Sequence, residues 1–217
     1  MRYDLDGLTL RTENAAKPMK QARRFLVDYL AQLPTGTVAL DYGCGKFRYT
    51  VPMAQVLQEV HAVDSHQQVA RTQNVDGERT TLEAYAARHL PNVQVHCEDA
   101  DSWKGRLYDF ALCSDVLPVV PCRLWRVVIL RSIASVLADN GQLLVCTRYS
   151  DSYFDGYSQR PDARQHLDGW LLSGSRPSFF GLITLPDLQQ LCTDSGLNVL
   201  QAFVRDHSAY VVAGTGK

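Results

Sequence analysis

The stretch VALDYGCGKF, residues 38–47, combines a short apolar run with a glycine-rich turn. The apolar run is typical of a buried strand, which we place at residues 37–42, and Gly43 and Gly45 then close it. In open α/β sheets, a loop of this kind after the first strand brings its backbone N–H groups close to a nucleotide. The stretch therefore predicts the first strand of an α/β fold and one wall of a ligand site.

Strand-like and helix-like segments alternate after residue 36, which indicates a largely parallel sheet covered by helices. Helices are expected at residues 121–138, stopped by Asn140-Gly141, and at residues 185–194. We expect strands at residues 37–42, 59–64, 93–97, 108–114, 142–147, 199–204 and 209–213. Only residues 205–208 join the last two strands, which is too short for a crossover helix. The sequence therefore predicts a doubly wound α/β fold: a mostly parallel seven-stranded sheet with an antiparallel last strand.

Two segments fall outside this alternation. Residues 1–33 precede the first strand and should contain a helix that ends near Leu33. Residues 148–184 are rich in Tyr, Ser, Asp, Gly and Pro, and we expect this insertion to cover the substrate side. A length of 217 residues suits one α/β domain, so we predict a single domain over residues 1–217.

The composition excludes several classes of protein. A formal net charge of -1 gives no overall attraction to nucleic acid or to an anionic membrane. No apolar stretch approaches the roughly 20 residues of a membrane-spanning helix, and the first residues do not resemble a secretory signal. The six cysteines are scattered, so we expect buried, reduced thiols in a cytoplasmic protein and no metal site.

Acidic side chains stand at four predicted strand ends that should meet at one edge of the sheet. They are Asp41, Asp64, Glu98 with Asp99, and Asp115, which follows Ser114. Any one of them has an ordinary explanation as a cap or a turn residue. Four together favour a ligand that donates hydrogen bonds or carries positive charge. S-adenosylmethionine (SAM) has a sulfonium, an ammonium, a ribose diol and an adenine amine, and a carboxylate suits each of them.

The glycine loop separates SAM from a dinucleotide. A dinucleotide fingerprint requires G-x-G-x-x-G, but Lys46, Phe47 and Arg48 follow Gly45, so arginine stands where the last glycine should be. We expect Lys46 and Arg48 either to be solvated or to meet an anionic group. A nucleotide-dependent oxidoreductase is disfavoured by this loop.

These segments together resemble the class I SAM-dependent methyltransferases. VALDYGCGKF is similar to the first motif of that family, HAVDS (61–65) to the second and CEDADSW (97–103) to the third. YDFALCSDVLPVVP (108–121) resembles the fourth motif, and LADNGQLLVCT (137–147) the segment that follows it. The resemblance departs from the family at Phe47, where a third glycine is usual, and Phe47 should narrow the cleft or give it an apolar wall.

The resemblance implies SAM as cofactor and a role for each matching residue. Gly43 and Gly45 would lie against the methionine and ribose, with Asp41 behind the loop, Asp64 on the ribose diol, Asp99 and Ala100 at the adenine, and Ser114 with Asp115 near the sulfonium. Methyl transfer depends mainly on alignment, so a general base is not required. If one exists, Asp115, His166 and Tyr149 are the candidates.

The methyl acceptor is left open by the sequence, with a small molecule favoured. The N-terminal segment carries a local surplus of basic residues and bears a slight likeness to methyltransferases of bacterial DNA modification and defence. Nucleic acid therefore remains an alternative acceptor. A second alternative is a non-catalytic SAM-binding regulatory or partner subunit.

Overall fold

The computed structural model describes residues 2–148 and 155–216. Its strands are β1 (Arg2–Leu5), β2 (Leu8–Arg11), β3 (Val38–Tyr42), β4 (Glu59–Asp64), β5 (Gln73–Val75), β6 (Glu78–Thr80), β7 (Val93–Cys97), β8 (Tyr108–Ser114), β9 (Leu137–Arg148), β10 (Ala163–His166), β11 (Gly169–Leu172), β12 (Ser178–Gly181), β13 (Asn198–Arg205) and β14 (Ser208–Gly214). Its α-helices are α1 (Arg24–Leu30), α2 (Thr50–Ala54), α3 (His66–Ala70), α4 (Leu82–His89), α5 (Arg123–Ala134) and α6 (Leu185–Asp194).

A seven-stranded sheet with the order β13-β14-β9-β8-β3-β4-β7 forms the centre of the fold. The pairs β9-β8, β8-β3, β3-β4 and β4-β7 are parallel, whereas β14 is antiparallel to both β9 and β13. This confirms the predicted mostly parallel sheet with an antiparallel last strand. The carboxyl ends of β3, β4, β7, β8 and β9 therefore meet at one edge, which we call the rim, and strand order changes direction there beside β3.

Alternating side chains of the central strands supply two apolar layers. In β9, Leu143 and Val145 pack in the layer that contains α5 and α6, while Leu144 and Cys146 pack in the layer that contains α1 and α2. All four side chains are fully buried. Burial of each leucine or valine stabilises the fold by about 1.5–3 kcal/mol, so the sheet is held from both faces.

The helix α5 is shorter than the sequence suggests. The prediction of a helix over residues 121–138 is wrong at its end, because α5 stops at Ala134 and β9 already begins at Leu137. The backbone N–H of Tyr108 donates to the Val136 carbonyl at 2.8 Å, so strand β8 recruits this backbone. Gly141 does not stop a helix. It allows close contact with β8, since a Cβ there would lie 2.6 Å from the Tyr108 carbonyl oxygen.

The two segments outside the alternation contain strands that the sequence analysis does not predict. Residues 1–33 begin with the hairpin β1-β2, and their helix α1 ends at Leu30. The insertion contains the three-stranded sheet β10-β11-β12. Leu10 of the hairpin packs against Leu171 and Phe179 of this sheet, so the two units form one layer, which we call the cap.

Arg126 of α5 anchors the cap to the main sheet. Its side chain is 1% exposed, donates to the Val120 carbonyl and forms a two-pronged ion pair with Asp168 in the β10-β11 turn.

Four of the six cysteines are buried, and all six are free thiols. Over residues 2–148 and 155–216, no helix is both long and apolar enough to cross a membrane.

Candidate active site

The glycine loop leaves β3 in a conformation that requires glycine at two positions. Gly43 and Gly45 have φ values of +76° and +60°, in the left-handed region that side chains disfavour. At Gly43 there is also no room, since a Cβ would lie 2.2 Å from Cγ2 of Val116. Gly43 and Cys44 both donate their backbone N–H to the Val63 carbonyl, which ties the loop to β4.

Asp64 at the end of β4 holds the loop from the other side. Its Oδ2 accepts the Gly45 N–H at 2.8 Å and its Oδ1 accepts the Ser65 N–H at 2.7 Å. Burial raises the pKa of Asp64 to about 6, although these two N–H donors act in the opposite direction. A carboxylate has about four acceptor positions, so two remain for a ligand.

Asp41, at the end of β3, lies behind the glycine loop. It is 2% exposed and accepts a hydrogen bond of 2.5 Å from the Thr50 hydroxyl. Burial raises its pKa to about 6 as well. Since Asp41 is almost inaccessible, it supports the loop and does not contact the cleft.

The cleft contains a second carboxylate, which belongs to Glu98. Tyr42 and Glu98 line the cleft together with Gly43 and Asp64, and the Tyr42 hydroxyl donates to Oε1 of Glu98 at 2.7 Å. The two residues predicted at the adenine lie one step further along the chain. They are Asp99, which is exposed, and Ala100, which is half-buried.

Ser114 and Asp115 at the end of β8 contact two arginines. Arg23 donates to the Ser114 hydroxyl and to Oδ2 of Asp115, both at 2.9 Å, and Arg48 donates to the same oxygen at 2.8 Å. Burial disfavours the charged carboxyl, but the two guanidinium groups outweigh it and keep the pKa of Asp115 below its usual value. Arg48 is therefore neither solvated nor available to an anionic ligand, because it pairs with Asp115.

Phe47 occupies the position of the usual third glycine without entering the cleft. Its φ is +63°, so the backbone keeps the left-handed conformation of a glycine. The side chain is fully buried in an apolar cluster with Cys44 and Leu82, and its ring centroid lies 6.0 Å from that of Tyr85. The expectation that Phe47 narrows or lines the cleft is wrong, because the αL backbone turns its side chain toward this cluster.

Of the two remaining candidate bases, the structure describes only His166. His166 lies in the cap, where Nδ1 is 3.9 Å from a carboxylate oxygen of Asp6 and the ring packs edge-on against Phe179. Tyr149 lies outside the described residues. No cluster of His, Cys, Asp and Glu suited to a metal ion occurs in the part of the chain that the structure describes.

The N-terminal segment lies across the glycine loop. Thr12 lines the cleft, and Cα and Cβ of Ala16 would lie within 4 Å of a Cβ at Gly45. Arg71, which follows α3, donates to the Glu13 carbonyl at 2.7 Å and holds this segment in place. The loop, the carboxylates and the covering segment together form a narrow cleft at the β3–β4–β8 part of the rim.

A family profile described as a methyltransferase domain matches residues 12–202. The chain belongs to this family. A curated relative, YmfD of Escherichia coli K-12, is an uncharacterised protein that is 36% identical over 99% of this chain and 96% of its own length. The predicted methyltransferase assignment is therefore confirmed.

Solved structures show the same fold at low sequence identity. A SAM-dependent methyltransferase from Clostridium acetobutylicum is 13% identical with a TM-score of 0.63, and the match covers 94% of each chain. The Burkholderia thailandensis 1,6-didemethyltoxoflavin-N1-methyltransferase, solved with 1,6-didemethyltoxoflavin and S-adenosylhomocysteine (SAH), is 19% identical with a TM-score of 0.61. That match covers 88% of this chain and 76% of the other.

The sequence analysis misses Tyr42 and Arg23 as site residues, and it names Glu98 as an acidic strand-end residue without assigning it to the ligand. Tyr42 and Glu98 stand inside recognised motifs, and the alternation of side chains along a strand is the signal that could have favoured Glu98 over Asp99. Arg23 gives no such signal, since 92 residues separate it from Asp115.

Proposed function

We propose that this methyltransferase transfers the methyl group of SAM to a small-molecule acceptor, within one domain that spans the chain. The observation that carries the proposal is the cleft in which Asp64 holds the Gly45 loop and Glu98 stands beside it. These residues fit an adenosyl ligand. The glycines form a cradle with no space for a side chain, and the two carboxylates still have acceptor positions for hydrogen bonds. When bound, SAM supplies an electrophilic methyl group on its sulfonium.

The residues of the cleft would bind and orient the donor. Asp64 would accept the ribose hydroxyls, and Glu98, in place of Asp99, would accept the adenine amine. Gly43 and Gly45 would let the backbone approach the methionine portion. Transfer then requires the acceptor atom about 3 Å from the methyl group in line with the breaking bond, and exclusion of water.

Asp115 would position the site and not act as its base. A carboxylate whose pKa is lowered, and which already binds two guanidinium groups, is a weak proton acceptor. Its φ of +59° places it in a turn at the end of β8, where Arg23 and Arg48 fix it. The methyl end of the cleft is therefore rigid, which favours catalysis by alignment.

Two observations support a small molecule over nucleic acid. The Burkholderia neighbour was solved with a small aromatic acceptor and SAH. In the basic N-terminal segment, Arg23 is largely buried and engaged with Asp115, so it offers no free charge to phosphate. The free cysteines fit a reducing compartment, and we propose a cytoplasmic location.

Transfer of label from methyl-labelled SAM tests this proposal. Purified protein is incubated with a cell extract separated into small-molecule, protein and nucleic-acid fractions. We expect label in the small-molecule fraction, loss of transfer in Asp64→Asn, and unchanged transfer in the exposed control Asp28→Asn. Label in the nucleic-acid or protein fraction would contradict the proposed acceptor, and no transfer with normal SAH binding would favour the regulatory alternative.

A further inference from the structure

A cavity of about 630 Å³ lies between helix α5 and the cap. Trp125, Val128 and Ile129 of α5 line one side, while Leu5 of β1 and Leu167 of the β10-β11 turn line the other. Pockets that bind small organic molecules have volumes of about 300–1,000 Å³ and mostly apolar walls. The cavity has the size and lining of a small-molecule site.

A carboxylate stands at the buried end of this cavity. Tyr42 is 3% exposed, Glu98 is half-buried, and both line the cavity, whereas Trp125 is 52% exposed at its other end. The Tyr42 hydroxyl fixes Glu98 by donating to its Oε1. A fixed carboxylate at the end of an apolar cavity selects a ligand with a cationic or N–H donor group.

The position of the cavity shows that it is not where the methyl group is transferred. It shares Tyr42 and Glu98 with the cleft that holds Asp64, at the end assigned to adenine. Gly43 and Asp64, assigned to the methionine and the ribose, line the cleft but not the cavity. A ligand here would meet the donor through Tyr42 and Glu98, at the adenine end.

We propose that this cavity is a second small-molecule site, which binds a flat apolar compound carrying a cationic N–H group. Its occupant and the adenine amine of the donor both draw on the Glu98 carboxylate. Binding at the two sites is therefore coupled negatively, so that each ligand weakens the other by the same factor. The site makes donor binding responsive to a metabolite other than the methyl acceptor.

Calorimetry with two matched probes tests the charge selection. 4-Aminoquinoline is flat and cationic at neutral pH, and quinoline-4-carboxylate has the same ring system with the opposite charge. We expect the amine to bind saturably and at least about tenfold more tightly than the carboxylate, which corresponds to about 1.4 kcal/mol. Glu98→Gln should remove this preference. Equal binding of both probes, or no binding of either, would overturn the proposal.

A pair of tryptophan substitutions on one helix tests the location. Val128→Trp fills the cavity and should weaken the amine probe at least about tenfold. Leu124→Trp adds the same group to an exposed position of α5 outside the lining, and it should leave binding unchanged. Thermal unfolding checks that both variants are folded, and equal affinity in the two would overturn the location.

The coupling is measured by titrating SAH at increasing concentrations of 4-aminoquinoline. The proposal requires the apparent Kd of SAH to rise and then reach a plateau, because both ligands are bound together at saturation. A rise without a plateau means that the probe occupies the adenine position, and it would overturn the second site while leaving the SAM cleft intact.

Discussion

Phe47 offers a demanding test of how the loop is built, since two effects oppose each other at one residue. Its side chain is fully buried beside Tyr85 and Leu82, so removal leaves a cavity in that cluster. Phe-to-Ala substitutions at such positions cost about 3–5 kcal/mol. The φ of +63° acts in the other direction, because a left-handed backbone costs a side-chain-bearing residue about 1–2 kcal/mol that glycine avoids.

Two substitutions separate these effects. Phe47→Ala should lower the free energy of unfolding by about 3–5 kcal/mol. Phe47→Gly should be no worse than Phe47→Ala and up to about 1–2 kcal/mol better, although glycine is normally the less stable of the two within regular structure. Urea unfolding at constant pH measures both values, with Phe47→Leu as a milder variant in case the others do not fold.

SAH binding completes the Phe47 test. The side chain does not line the cleft, so a folded Phe47→Leu variant should bind SAH within about threefold of the natural chain, or less than 1 kcal/mol. A glycine variant clearly less stable than the alanine variant would refute the strain argument. A tenfold change in SAH affinity for Phe47→Leu would refute the separation of this side chain from the cleft.

Three further predictions concern the loop, the cap and pH. Gly43→Ala places a Cβ against Val116 and should weaken SAH binding by more than about tenfold in calorimetry. The control Gly77→Ala, at a position with a positive φ but open space, should lose stability without losing SAH affinity, and equal SAH affinity in the two variants would contradict the steric argument. Arg126→Lys should lower the free energy of unfolding by about 1.5–3 kcal/mol in urea titration, because it removes hydrogen bonds between a buried guanidinium and a charged partner. Arg123→Lys on the same helix, whose side chain is half-exposed, should cost less than about 1 kcal/mol; similar losses would show that the cap is not anchored at Arg126. Because the pKa of Asp64 is about 6, protonation of this carboxylate below that pH removes a hydrogen-bond acceptor for the ribose hydroxyls, and SAH affinity should fall about tenfold from pH 7 to pH 5. A pH-independent Kd would show that Asp64 does not contact the ligand.

Much of the central sheet is readable from the sequence because each strand is buried and bounded by turn residues. Predicted and observed bounds agree closely for β4, β7 and β8. The end of α5 is not readable, since residues 135–138 continue the helical apolar pattern locally, whereas pairing with β8 places Leu137 and Ala138 in β9. The neighbouring strand β8 decides where the helix ends, and the local sequence preference of these residues does not indicate it.

The sequence analysis also omits the hairpin β1-β2, although the sequence contains a signal for it. Asp6-Gly7 is a strong turn pair, both residues have positive φ, and alternating apolar residues stand on either side. Asp76-Gly77 between β5 and β6 is the same turn pair and also has positive φ at both residues. Attention to dipeptides of this type would have predicted both hairpins.

The candidate site is predicted to the level of strand ends and not to the level of contacts. Asp64 and the two glycines follow from the motif. The choice between Glu98 and Asp99 depends on which way each side chain points, and the Arg23–Asp115–Arg48 cluster depends on tertiary folding. The contacts of residues whose partners are distant in the sequence can be recognised only from the structure.

Calorimetric titration with SAH tests whether Asp64 forms part of the SAM site. The natural chain should bind SAH, and Asp64→Asn should bind it about 10- to 100-fold more weakly, as expected for losing hydrogen bonds to a charged acceptor. Asp28→Asn, an exposed carboxylate on α1, is the matched control and should bind as the natural chain does. Equal SAH affinity in Asp64→Asn and the natural chain would contradict the account.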